Sequence, residues 1–178
     1  DLETTGLVPG NHKIIEIAAV RIKNKQIIDS FSTLVNPHCE IPAFITNLTN
    51  ITNQMVADGM EERDALAKFL EFAGDTILVA HNAAFDMSFL NKALSDHGIV
   101  RENTAVDTLA MSRCLLTQIT RHNLKKLCSH FKIEIQNHHR ALDDAAASAK
   151  VFVKLLDLAE KKGCTSIQTL NTLSSRER

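Results

Sequence analysis

Asp1 and Glu3 are the first residues whose types and spacing could do chemistry. In a strand, residues i and i+2 share a face, so both carboxylates project together while Leu2 turns the other way into a core. Two acids so close raise each other's pKa, and a cation between them removes that cost. Hard divalent ions such as Mg²⁺ and Mn²⁺ take oxygen ligands of this kind. A pair of this sort is more often a solvated strand edge, so its partners must come from elsewhere in the chain.

Asp86 is one candidate. It follows the apolar run Ile77-Leu78-Val79-Ala80 and the turn His81-Asn82-Ala83-Ala84-Phe85. Sites in open α/β sheets lie at the carboxyl ends of strands, although an acid there also suits a helix start for the dipole alone. The third cluster is His138-His139-Arg140-Ala141-Leu142-Asp143-Asp144. Projected at 3.6 residues per turn, Asp143 falls with Ala147, Lys150, Lys154, Asp157 and Lys161, a solvated stripe. Asp144 falls with Ser148, Val151, Leu155 and Leu158, an edge that faces a core. An acid at the head of such an edge needs a partner, and a metal shared with Asp1 and Glu3 would serve.

The elements that must position these groups follow from pattern. Residues 13–23 and 26–35 read as strands around the turn Asn24-Lys25, forming a meander with the first strand. A helical stretch breaks at Leu48-Thr49-Asn50-Ile51-Thr52, with Thr52 as an N-cap. Residues 64–73 carry helical spacing and stop at Gly74. Residues 77–80 read as a buried strand, 86–97 as a helix, 106–107 as a brief strand, and 108–116, 124–131 and 141–162 as helices. Strands first, then strand–helix alternation, predict an α/β domain: a mixed five-stranded sheet with helices on both faces. The domain is expected over residues 1–162, with 163–178 a tail or linker. A strand carrying Asp1 and Glu3 is expected to begin several residues earlier, which suggests a piece of a longer chain.

Composition sets limits. The 178 residues are 44% hydrophobic, enough for one domain with a substantial core. Lys+Arg of 20 against Asp+Glu of 21 gives no global basic field, which argues against a large non-specific DNA footprint. Cys39, Cys114, Cys128 and Cys164 form no Cys-x-x-Cys pair, so reduced thiols in a cytoplasmic protein are expected. No apolar run approaches membrane-spanning length.

Taken together, Asp1-x-Glu3-Thr-Thr-Gly, His81-Asn82-x-x-Phe85-Asp86 and His139-Arg140-Ala141-x-x-Asp144 resemble the motif set of the DnaQ-like 3′→5′ exonucleases, DEDDh subgroup. Lys13-Ile-Ile-Glu-Ile-Ala-Ala-Val and Leu48-Thr49-Asn50-Ile51-Thr52 also look like this family, with Asn50 where a glycine is usual. The resemblance runs over nearly the whole chain and is strongest to the proofreading domains of PolC-type bacterial replicative polymerases. The sister subgroup carries a tyrosine in the last motif, and this chain has none.

The resemblance implies an RNase H-like fold and two divalent ions, Mg²⁺ or Mn²⁺. Asp1, Glu3 and Asp144 would hold one, and Asp1 with Asp86 the other. His139 would be the general base, and nucleoside 5′-monophosphates would be released from a 3′ end. The terminal nucleotide would lie over Thr4, Thr5, Gly6 and Leu7, with Thr49, His81, Asn82 and Phe85 as further contacts. The implied partners are a single-stranded or frayed DNA 3′ end and a replicative polymerase, in cis or in trans. The motifs do not separate DNA from RNA, so RNA trimming of the RNase T or oligoribonuclease kind stays open. A silent nucleic-acid-binding domain and a metal phosphohydrolase acting on other esters are the remaining alternatives.

Overall fold

The computed structural model describes residues 1–101, 104–134 and 139–163. Cys164, His138 and the expected turn at 165–173 lie outside the described residues.

The chain opens with β1 (Leu2–Thr4), β2 (Ile14–Lys23) and β3 (Gln26–Leu34). These pair antiparallel in the order β1-β2-β3. Asn24 and Lys25 both have positive φ, 53° and 62°, as a tight hairpin turn requires. Two short helices follow, α1 (Ala43–Thr49) and α2 (Asn53–Ala57). Asn50 caps α1 at φ 59°, a conformation asparagine tolerates nearly as well as glycine. The Thr52 side chain accepts from Met55 N–H at 3.2 Å, the expected N-cap of α2.

Then come α3 (Glu62–Ala73), β4 (Leu78–Ala80), α4 (Ala83–Asp96), β5 (Ala105–Asp107), α5 (Thr108–Leu115), α6 (Leu124–Phe131) and α7 (Ala141–Lys161). β4 and β5 pair in parallel. All five expected strands are present, in a mixed arrangement with helices. Their hydrogen bonds divide into a three-stranded ladder and a two-stranded one.

β2 shows how the layers form. Ile17 is fully buried and packs with Leu66 and Phe69 of α3 and Leu90 and Leu94 of α4. Its neighbour Glu16, pointing the opposite way, meets the start of α7. A second cluster joins Val106 of β5 to Met111, Leu127, Val151 and Leu155 on α5, α6 and α7. Lys25 in the hairpin binds Asp157 and Glu160, each at 2.7 Å, and so ties the far end of β2 to the far end of α7.

Two expectations about helices need correction. The helix bearing Asp86 begins at Ala83, because Asn82 takes φ 65° and turns the chain at once. On α7, Asp144, Ser148, Val151 and Leu155 are buried as projected, but the stripe behind Asp143 is not wholly solvated. Ala147 on that stripe is 2% exposed, since α5 and α6 pack against α7 there.

Candidate active site

β1 delivers the first two carboxylates. Its register against β2 shifts between Glu3 and Thr4, a local irregularity of the kind that re-aims a side chain beside a site. α7 delivers the third. Ligand atoms of Asp1, Glu3 and Asp144 all lie within 4.8 Å of one another. Glu3 sits closest to the conflict. Burial first, then the charges of Asp144, Glu16 and Asp86, push its carboxyl up to about 7. Carboxylates crowded this way, with oxygen donors only, suit a hard divalent cation.

Asp86 stands beside this trio and is not one of its three members. It is 9% exposed, and its Oδ1 accepts from Leu2 N–H at 3.0 Å. Burial raises its pKa, while the Asp1 ammonium and the Leu2 N–H pull it back down. α4 is therefore pinned to β1 by the same carboxyl that faces the site.

His139 enters the site through its backbone. It holds φ 68°, uncommon outside glycine but better tolerated by histidine than by bulky residues. Its N–H donates to Asp144 Oδ2 at 3.1 Å. Asp144 thus reaches back over the start of α7 and fixes the residue five positions before it. The first motif-three residues are a unit, made by one left-handed turn and one helix start.

That turn has an anchor that sequence reasoning missed. Glu16, 1% exposed, accepts from Arg140 Nη2 at 2.8 Å, from Arg140 Nε at 3.3 Å and from Ala141 N–H at 2.9 Å. It sits opposite Glu3 in the ladder. One strand residue therefore binds both the cation and the first free N–H of α7. The signal was a lone acid in the run Ile14-Ile15-Glu16-Ile17-Ala18, where only a partnered charge can be buried.

The expected substrate contacts divide. Leu7 is 78% exposed and Val8 49%, an apolar pair standing out of the loop next to β1. Gly6 supports that loop: a Cβ there would meet the His12 ring at 2.2 Å, and His12 Nδ1 lies 3.1 Å from Val8 N. Thr4 and Thr5 are buried, their hydroxyls taken by Gly6 C=O at 2.6 Å and Lys13 N–H at 2.9 Å. Thr49 is 1% exposed, and its hydroxyl bridges Ile45 C=O and Ile51 N–H within the α1–α2 turn. His81 Nδ1 lies 3.0 Å from Thr108 Oγ1, and burial lowers its pKa. Asn82 N–H donates to Asp107 Oδ1 at 2.9 Å, leaving the Asn82 side chain at the surface. Phe85 is half-buried, its ring 5.1 Å from that of Phe89.

A fold of this order, with acids from β1, α4 and α7 and a histidine turned over the last of them, defines an exonuclease of the DEDDh type. The chain belongs to the exonuclease family described as RNase_T, whose model matches residues 1–152. It is 45% identical over 173 residues to the PolC-type DNA polymerase III of Caldanaerobacter subterraneus subsp. tengcongensis, and 43% identical over 173 residues to that of Bacillus subtilis. Those matches cover 97% and 96% of this chain and 12% of each polymerase, so the chain spans about an eighth of the length of these relatives. Among solved structures it resembles exonuclease X in complex with 5′-overhanging duplex DNA, at TM-score 0.78 and 27% identity, covering 98% of this chain and 97% of that one. The nuclease domain of 3′hExo, a DEDDh family member bound to rAMP, shares the fold at TM-score 0.73 and 21% identity, covering 92% and 90%. No helix among the described residues is long and apolar enough to cross a membrane.

Proposed function

We propose that this domain removes nucleotides one at a time from the 3′ end of DNA, as the proofreading activity of a cytoplasmic replicative polymerase. The observation that carries this reading is the convergence of Asp1, Glu3 and Asp144 within 4.8 Å beneath a histidine tied to Asp144.

Asp1, Glu3 and Asp144 are the residues that would hold one divalent ion, and Asp86 with Asp1 a second. When bound, Mg²⁺ or Mn²⁺ supplies Lewis-acid stabilisation of phosphoryl charge and acidifies water. The chain's own residues do the rest. His139 takes the proton from the attacking water as the new P–O bond forms, and the P–O3′ bond breaks to release a nucleoside 5′-monophosphate. Its unperturbed pKa near working pH suits that role. Leu7 and Val8 offer apolar contact to the terminal base, where stacking is sequence-tolerant. Thr4, Thr5 and Gly6 shape the floor through backbone, since both threonine hydroxyls are already engaged. Thr49 shapes the wall from a buried position.

DNA is favoured over RNA by the polymerase relatives and by the DNA-bound exonuclease X neighbour. With a net charge of −1 the domain has little basic surface to melt a duplex, so a frayed end is the expected substrate. Hydrolysis rates on matched and mispaired primer termini test the proofreading role. A faster rate on mispaired ends is expected, and equal rates would contradict it. A terminal ribonucleotide at the same 3′ end distinguishes the RNA-trimming reading, which requires that the 2′-hydroxyl be accepted as readily as hydrogen.

A further inference from the structure

A cavity of about 430 Å³ separates the two ladders. It is far larger than the packing gaps of ordinary protein interiors. Its edges are strand edges: Ala18 to Ile22 of β2 on one side and Leu78 to Ala80 of β4 on the other. Its floor and roof are apolar, with Phe69, Phe72 and Leu90 on one face and Ala149, Phe152 and Leu156 on the other. Among the described residues, Ser148 Oγ is buried without a hydrogen-bond partner, and Ser148 lines this same cavity.

Backbone geometry says what shape fits. The Asp1 amino group donates to Ala18 C=O at 3.0 Å, and Ala18 N–H donates to Asp1 C=O at 3.1 Å. Asp1 and Ala18 are therefore a hydrogen-bonded antiparallel pair, continuous with Leu2↔Ile17 and Glu3↔Glu16. In that alternation Val20 is the next β2 residue whose N–H and C=O face the cavity. On the far side Leu78 N–H bonds Thr104 C=O in the β5 direction, so Val79 turns its own N–H and C=O to the cavity.

We propose that this cavity is a strand-accepting slot: an extended apolar segment, continuous with the amino group of Asp1, docks there antiparallel to β2 and parallel to β4 and joins the two ladders into one sheet. Extending the observed register, the first residue before Asp1 lies opposite Ala19, the second opposite Val20, the third opposite Arg21 and the fourth opposite Ile22. The first and third point to the Leu2 side, toward α3 and α4. The second and fourth point to the Asp1 and Glu3 side, toward α7. Both sides are apolar, so all about four positions take apolar, β-forming residues, as in strands buried on two faces. Main-chain pairing with Val20 and Val79 supplies the directionality of strand addition. A peptide backbone offers Ser148 Oγ a partner that a hydrocarbon filler does not. The curated relatives are about eight times longer than this chain, so additional polypeptide is present in them. The consequence for the site is direct: the docked segment clamps the strand that carries Asp1 and Glu3.

Three forms of the protein test this: the chain as it stands, one with Ile-Val-Ile-Val directly before Asp1, and one with Gly-Ser-Gly-Ser there. Amide hydrogen exchange is followed at Val20 and Val79, together with fluorescence of the apolar dye ANS. The slot predicts that Ile-Val-Ile-Val slows exchange at both valines about tenfold or more relative to Gly-Ser-Gly-Ser and abolishes dye binding. An Ala-Val-Ala-Val extension, less prone to aggregate, should do the same. Equal exchange in the apolar and Gly-Ser forms would overturn the proposal. So would dye binding that persists with the apolar extension, which would make the cavity a small-molecule pocket.

Discussion

Replacing Glu16 by alanine should damage both stability and catalysis, although Glu16 is no member of the acid trio. The carboxylate is 1% exposed and accepts three hydrogen bonds, two from Arg140 and one from Ala141 N–H. Removing one partner of a buried ion pair costs about 3–5 kcal/mol when the remaining charge stays buried. The Arg140 side chain is 35% exposed, so water recovers part of that loss and the lower end applies. Ala141 is fully buried, and its orphaned N–H adds roughly 1 kcal/mol. Relief of the charge that Glu16 exerts on Glu3 offsets some of this. The net is about 3 kcal/mol. At about 2–4 °C per kcal/mol for a chain of this size, the melting temperature should fall by roughly 6–12 °C. Glu16→Gln keeps an acceptor for Ala141 N–H and should lose about half as much. Because Arg140 and Ala141 set the turn bearing His139, kcat at a temperature well below both transitions should fall with KM little changed. Thermal unfolding by circular dichroism and initial rates on a single-stranded oligonucleotide measure both. A Glu16→Ala protein melting within about 2 °C of the parent and retaining full kcat would refute this reasoning.

Three further outcomes are expected. Glu3 has a folded-state pKa of about 7 against an ordinary 4.5, so the folded state holds this proton more tightly. In metal-free protein that lowers stability as pH rises from 4.5 through 7, by roughly 3 kcal/mol in full. Comparison with Glu3→Gln by thermal melts should show the slope vanish, and Mn²⁺ should raise the melting temperature more at pH 8 than at pH 5.5. His139→Ala and Asp144→Ala should each lower the rate by about 10²–10⁴-fold without multiplying in the double mutant, since the two act as a unit. His138→Ala and Asp143→Ala should stay near the parent, and equal damage from His138→Ala would contradict the register of the third motif. Gly6→Ala should displace the His12 ring and with it the Leu7–Val8 loop, raising KM for oligonucleotides more than it lowers kcat.

Asp144 was legible in advance because a 3.6-residue period separates it from Asp143 without any tertiary information. The pairing of Asp1 with Glu3 was legible for the same kind of reason, a period of two. Glu16 was not, since a period of two says which face it takes but not that a helix start waits there. The helix start at Ala83 was also hidden: it depends on Asn82 adopting a left-handed turn, which sequence allows but does not require. Ala147 was placed on the solvated stripe because its burial comes from α5 and α6, elements distant in sequence. Thr49 read as a substrate contact because its hydroxyl's real partners, Ile45 and Ile51, are set by the break between α1 and α2. Local periodicity thus located the acids, and contacts between distant elements decided what surrounds them.

The central claim is metal-dependent hydrolysis from a 3′ end by the Asp1, Glu3, Asp86, Asp144 and His139 set. A 5′-labelled single-stranded oligonucleotide, incubated with the protein and Mg²⁺ or Mn²⁺ and resolved by length, tests it most directly. A ladder that shortens one nucleotide at a time from the 3′ end, lost with EDTA and restored by excess Mn²⁺, is the predicted result. Release of labelled mononucleotide from the 5′ end, or full activity in excess EDTA, would contradict it.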